Sequence, residues 1–99
     1  MINSKQRAYL RGLANTIKPT EQIGKSGITD SVIKQLDESL EAHEMIKITV
    51  LETAFMSGKE CAGILAEALN ADVVQVIGFK IVLYRPASKE EKRKIEIPF

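Results

Sequence analysis

One cysteine, one histidine and no tryptophan occur among the 99 residues, and these scarcities exclude several chemistries before any motif is considered. A lone thiol, Cys61, cannot close an intramolecular disulfide, and such usage fits a reducing compartment, so a cytoplasmic location is expected. One Cys and one His cannot form a zinc site. No apolar run approaches the roughly 20 residues needed to cross a bilayer. The opening stretch MINSKQRAYLRG lacks the apolar core of a signal peptide, which argues against export. Linkers and internal repeats are missing too. The expectation is one domain over residues 1–99, long enough to bury about two thirds of its unfolded surface.

Neither sign of charge prevails, since the net charge is +1. Its distribution is uneven. Residues 1–25 carry Lys5, Arg7, Arg11, Lys18 and Lys25 against Glu21, a net of +4. The middle of the chain, 26–75, holds three bases against nine acids, and the remainder returns to a net of +3. If the two basic ends meet in space, they form a cationic face with an acidic back, as a polyanion binder requires. The alternative is plain scatter over the surface.

Periodicity predicts the elements. A helix runs from Ser4, its expected cap, to about Asn15, with Ile2, Gln6, Tyr9, Leu10 and Leu13 on one stripe and Arg7 and Arg11 one turn apart off it. Pro19 opens a short strand, Thr20 to Ile23. Thr29 caps a second helix with Asp30 in its first turn and Val32, Ile33, Leu36 and Leu40 as its apolar side, ending near His43. The outer side, with Asp37, Glu38 and Glu41, is acidic. MIKITVL, 45–51, alternates as a strand. Ser57–Glu60 fits a capping box, ahead of a third helix whose stripe is Cys61, Ile64, Leu65, Ala68 and Leu69 and which Asn70 ends. Val73–Ile77 and Lys80–Tyr84 form a hairpin about Gly78-Phe79. The latter strand is apolar on both faces, the mark of an interior position. The charged run 88–94 reads as a solvated tail. The order α-β-α-β-α-β-β predicts an α/β two-layer sandwich on a four-stranded mixed sheet.

Catalysis finds little to work with. Cys61 lies on an apolar helix stripe, His43 stands at a helix end, and Glu41 and Glu44 beside it read as solvated carboxylates. The stretch Gly24-Lys25-Ser26-Gly27 lacks P-loop spacing. It has two other readings. It is a tight turn, or it is a G-x-x-G clamp that lets a nucleic-acid backbone approach while amides and the following helix N-terminus donate to phosphate. Lys5, Arg7 and Arg11 are the expected basic neighbours, with Lys18 and Arg85 as outlying members of the patch.

The combination LRGLAN at 10–15, KP at 18–19, IGKSGIT at 23–29, EAHEMIKITV at 41–50 and QVIG…IVLYRP at 75–86 resembles the CRM domain family of YhbY-like RNA-binding proteins. These occur alone in bacteria and archaea and as modules of plant organelle splicing factors. The resemblance implies a fold like the C-terminal domain of translation initiation factor 3, with the last strand between its neighbours. It also implies association with rRNA in precursors of the large ribosomal subunit, through a GxxG loop at Gly24–Gly27 and a basic first helix. Three departures stand out: Asn15 where histidine is frequent, Thr20-Glu21 in place of a more apolar pair, and Phe79 at a position that is often basic. Phe79 either covers the core or offers a ring to a base. Neither cofactor, metal, membrane nor small-molecule substrate is expected, and the chain is expected to act as a monomer. The competing reading is a protein-interaction adaptor built on the acidic second helix.

Overall fold

The computed structural model describes residues 2–97. Its elements are α1 (Ser4–Ala14), β1 (Glu21–Ile23), α2 (Asp30–His43), β2 (Met45–Val50), a 3-10 turn (Glu52–Ala54), α3 (Gly58–Leu69), β3 (Asp72–Ile77), β4 (Lys80–Tyr84) and a second 3-10 turn (Glu90–Lys92). The sheet order is β1-β2-β4-β3. β1 and β2 are parallel, and β4 is antiparallel to both β2 and β3. The last strand therefore lies inside the sheet, as its two apolar faces and the family resemblance both imply.

Alternation along the two central strands splits the core in two. Ile46, Ile48 and Val50 of β2 and Ile81 and Leu83 of β4 meet Leu36 and Leu40 of α2 and Cys61, Ala62, Leu65 and Leu69 of α3. Each fully buried aliphatic side chain there contributes about 1.5–3 kcal/mol. Met45, Val82 and Tyr84 point to the reverse face, where Leu10 and Ala14 of α1 pack with Val74 of β3. The expected sheet with helices on one side is present, and α1 adds partial cover on the other.

Capping decides where helices start. Asn3, not Ser4, caps α1: its side chain accepts the Gln6 amide while the Gln6 side chain accepts the Asn3 amide. Thr29 and Ser57 cap α2 and α3 as expected. The buried side of α3 includes Ala62 rather than Ile64, which is 46% exposed, and Ala68, which is exposed. That helix is rotated so that Ala62 joins Cys61, Leu65 and Leu69 on the buried side. Gly58 is needed at its start, because a Cβ there would sit 2.2 Å from the Gly78 carbonyl oxygen. The departure at Glu21 is accommodated by α2: the side chain is nearly buried and accepts Gln35 Nε2 at 2.9 Å and Ser39 Oγ at 2.8 Å.

The charged run after Pro86 is not a loose tail. Glu44, expected to be solvated, is fully buried at the end of α2 with φ of 65°. Its carboxylate accepts the amides of Ala87 (2.9 Å), Ile95 (2.8 Å) and Lys94. Glu41 accepts the amide and hydroxyl of Ser88. Held this way, the chain returns over the reverse face, where Ile95 and Ile97 pack with Ile2, Tyr9 and Leu13. The two basic ends of the sequence do meet.

Candidate nucleic-acid interface

The GKSG stretch follows β1 at the edge of the sheet. The Gly27 amide donates to the Gly24 carbonyl oxygen at 2.9 Å, closing a turn, and Gly27 has φ of +69°, a conformation that side chains rarely adopt. Lys25 and Ser26 are exposed at its tip, and their amides make no backbone hydrogen bond among the described residues. A turn and a displayed backbone are thus the same object. Gly24 lies against the chain beyond β2: a Cβ on it would meet Leu51 at 3.4 Å and Thr53 at 3.8 Å.

The other expected residues are dispersed. Lys5, Arg11 and Lys18 are exposed. Arg7 is partly buried, and its Nε donates to the Val73 carbonyl oxygen at 3.1 Å, so it also anchors α1 to β3. β1 and β3 are opposite edges of the sheet. Three strand spacings, plus about four residues along the strand, separate Val73 from the start of the loop by about 20 Å. The expected compact cluster of Arg7 with the loop is not formed.

Arg85 requires a second correction. Its guanidinium binds Asp37 Oδ1 at 2.7 Å, the Asp37 carbonyl oxygen at 3.0 Å and the Leu69 carbonyl oxygen at 3.0 Å, with Glu41 at 3.8 Å. It joins α2 to the end of α3, behind the sheet from α1. The side chain is 18% exposed. It is a structural residue.

Between Arg11 and the loop the sheet presents two bases that strand periodicity alone did not single out. Lys47 and Lys80 share the reverse face with Val82 and Gln75, and with Asn15 they line one depression. Asn15, the C-cap of α1, stands one turn beyond Arg11, so both lie on the same side of that helix. Which strand face stays open depends on where α1 settles, and α1 covers only the end near Tyr84. The alternation of Lys47 and Thr49 with apolar neighbours is the visible signal in the sequence.

Comparison with known proteins identifies the family of the chain. The family model described as the CRS1/YhbY (CRM) domain matches residues 2–85. This chain belongs to the CRM domain family. It is 39% identical over 98 residues to "Probable RNA-binding protein YqeI" of Bacillus subtilis, covering 99% of this chain and all of that relative. It is 32% identical to a Haemophilus influenzae protein named "RNA-binding protein", covering 98% and 95%. The solution structure of hypothetical protein SAV1595 from Staphylococcus aureus superposes with a TM-score of 0.74 at 41% identity, over 97% of this chain and all of that one.

Groups that could support other chemistry are few in this CRM domain. Among the described residues, no cluster of three or more His, Cys, Asp or Glu could hold a metal ion, and no helix is long and apolar enough to cross a membrane. His43 is exposed at the end of α2. Cys61 is completely buried, and burial, with the Glu60 charge adding to it, pushes its thiol above the ordinary value. We expect Cys61 to react with a maleimide at least tenfold more slowly in native protein than in denaturant, since the thiolate is the nucleophile. Equal rates would contradict its burial.

Proposed function

We propose that this CRM domain binds RNA through the GKSG turn and the bases of its reverse face, and that it serves assembly of the large ribosomal subunit by contacting rRNA of the precursor. It acts without turnover, as a monomer, in the cytoplasm. The observation that carries the reading is the GKSG turn: two exposed residues, Lys25 and Ser26, whose amides make no backbone hydrogen bond among the described residues, beside a Gly27 with open space around its Cα. The names of the relatives support the RNA-binding part, and the family resemblance supports the ribosomal part. An adaptor built on α2 gains less support, because Asp37 and Glu41 are engaged by Arg85 and Ser88.

A salt titration with a short single-stranded RNA tests the reading. Affinity should fall linearly on a log–log plot through counterion release, and Arg11→Gln should lower the slope by about one without altering the melting temperature. Saturable binding absent at low salt would favour the adaptor. Sedimentation of tagged protein from cells tests the ribosomal part: it should follow large-subunit precursors and leave them on ribonuclease treatment.

A further inference from the structure

We infer that Phe55 and Phe79 form a stacking subsite for an unpaired base of the same RNA strand whose backbone the GKSG turn holds. This rests on the RNA-binding reading and narrows its substrate to single-stranded or looped RNA.

Both rings are exposed where a folded chain ordinarily hides them. Phe55 is 93% and Phe79 is 49% exposed. Phe55 follows the 3-10 turn at φ of 54°, a left-handed conformation that is costly for a bulky residue. The chain therefore holds a large ring in solvent on a strained backbone, with no packing gained in return. The two phenylalanines line one shallow, open depression with Met56, Ser57, Glu52 and Glu60.

Its position fits a base adjacent to the clamp. The Val50 amide donates to the Phe79 carbonyl oxygen at 2.7 Å, and the Leu51 amide to the Ile23 carbonyl oxygen at 2.8 Å. Phe79 is thus two strand spacings, about 10 Å, from the residue that precedes Gly24. The contents of the depression select a base over a phosphate. Glu52 and Glu60 repel phosphate, and their carboxylates accept hydrogen bonds from base amino groups, while the rings offer π-faces. The Gly58 contact with Gly78 holds the start of α3 against the hairpin that carries Phe79.

The chain contains no tryptophan, so Phe79→Trp introduces a single reporter. Titrating this variant with a short single-stranded RNA of mixed sequence should quench its fluorescence, and the same strand annealed into a duplex should not. Phe55→Asn suits the left-handed backbone, and Phe79→Leu keeps apolar cover while removing the ring. Together they should lower single-strand affinity about 5- to 100-fold, as loss of base stacking requires, with the salt slope unchanged. Wild-type affinity in the folded double variant, or no quenching of Phe79→Trp by bound single strand, would overturn the subsite while leaving RNA binding standing. If the wild-type protein binds no RNA, both readings fail.

Discussion

Replacing Glu44 by alanine is expected to lower stability by about 3–5 kcal/mol, read as an earlier urea midpoint at little-changed slope. The side chain is completely buried, and its two oxygens are shared by three amides from a segment more than 40 residues away. Alanine would leave those amides without an acceptor and release Ile95 and Ile97 from the reverse face. The Ala87 bond is buried and those of Lys94 and Ile95 are part-buried; a buried donor left unpaired costs about 1–3 kcal/mol, and a part-buried one less. A small offset comes from nothing else at the site, since alanine at φ of 65° is no better placed than glutamate. A midpoint change equivalent to less than 1 kcal/mol would show that the tail is not held this way.

The same group sets an acid limit. Burial by itself raises the Glu44 carboxyl, but the amides of Ile95, Ala87 and Lys94, with the Arg93 charge, outweigh it and hold the group below its ordinary 4.5. Glu41 is lowered too, chiefly by the Ser88 amide. A carboxyl depressed in the folded state stabilises fully above its unfolded value and loses that contribution as pH falls through the folded one. Stability should therefore be flat above about pH 4.5 with respect to these groups and decline below it. In Glu44→Ala that decline should be shallower.

What could be read from the chain followed from local physics. Period-two alternation in MIKITV placed β2, the i, i+4 stripe of Leu36 and Leu40 placed α2, and the doubly apolar IVLY placed β4 in the interior. The caps Thr29 and Ser57 are three-residue signals and were equally visible. Tertiary partners were not. Glu44 and Arg85 look like any surface charges in sequence, because the groups that claim them lie between 16 and 51 residues away. Lys47 and Lys80 escaped for a related reason: alternation tells which residues share a strand face, but not which face a helix will leave open. The GKSG turn was legible as a turn, since Gly27 at positive φ is a local demand. Arg7 was legible as basic and not as an anchor of β3.

Placing carboxylates on the GKSG turn should abolish high-affinity RNA binding. Gly24→Asp with Gly27→Asp is best judged against Gly24→Asn with Gly27→Asn, which has the same shape without the charge. Both pairs meet the same neighbours, Leu51 at 3.4 Å and Thr53 at 3.8 Å from position 24. Asp and Asn are also the side chains that tolerate a left-handed backbone best, as position 27 requires. The difference between the pairs is thus electrostatic. Unit charges 4 Å apart interact by about 1 kcal/mol in bulk water and about 4 kcal/mol near a protein surface. A backbone clamped on this turn should therefore lose about 2–4 kcal/mol to the carboxylates, roughly 30- to 700-fold in affinity. A basic face that merely attracts RNA from a distance would lose only a few fold, and that loss would vanish in high salt. Equal affinity of the two folded double variants at low salt would show that phosphate never comes within contact of Gly24 and Gly27.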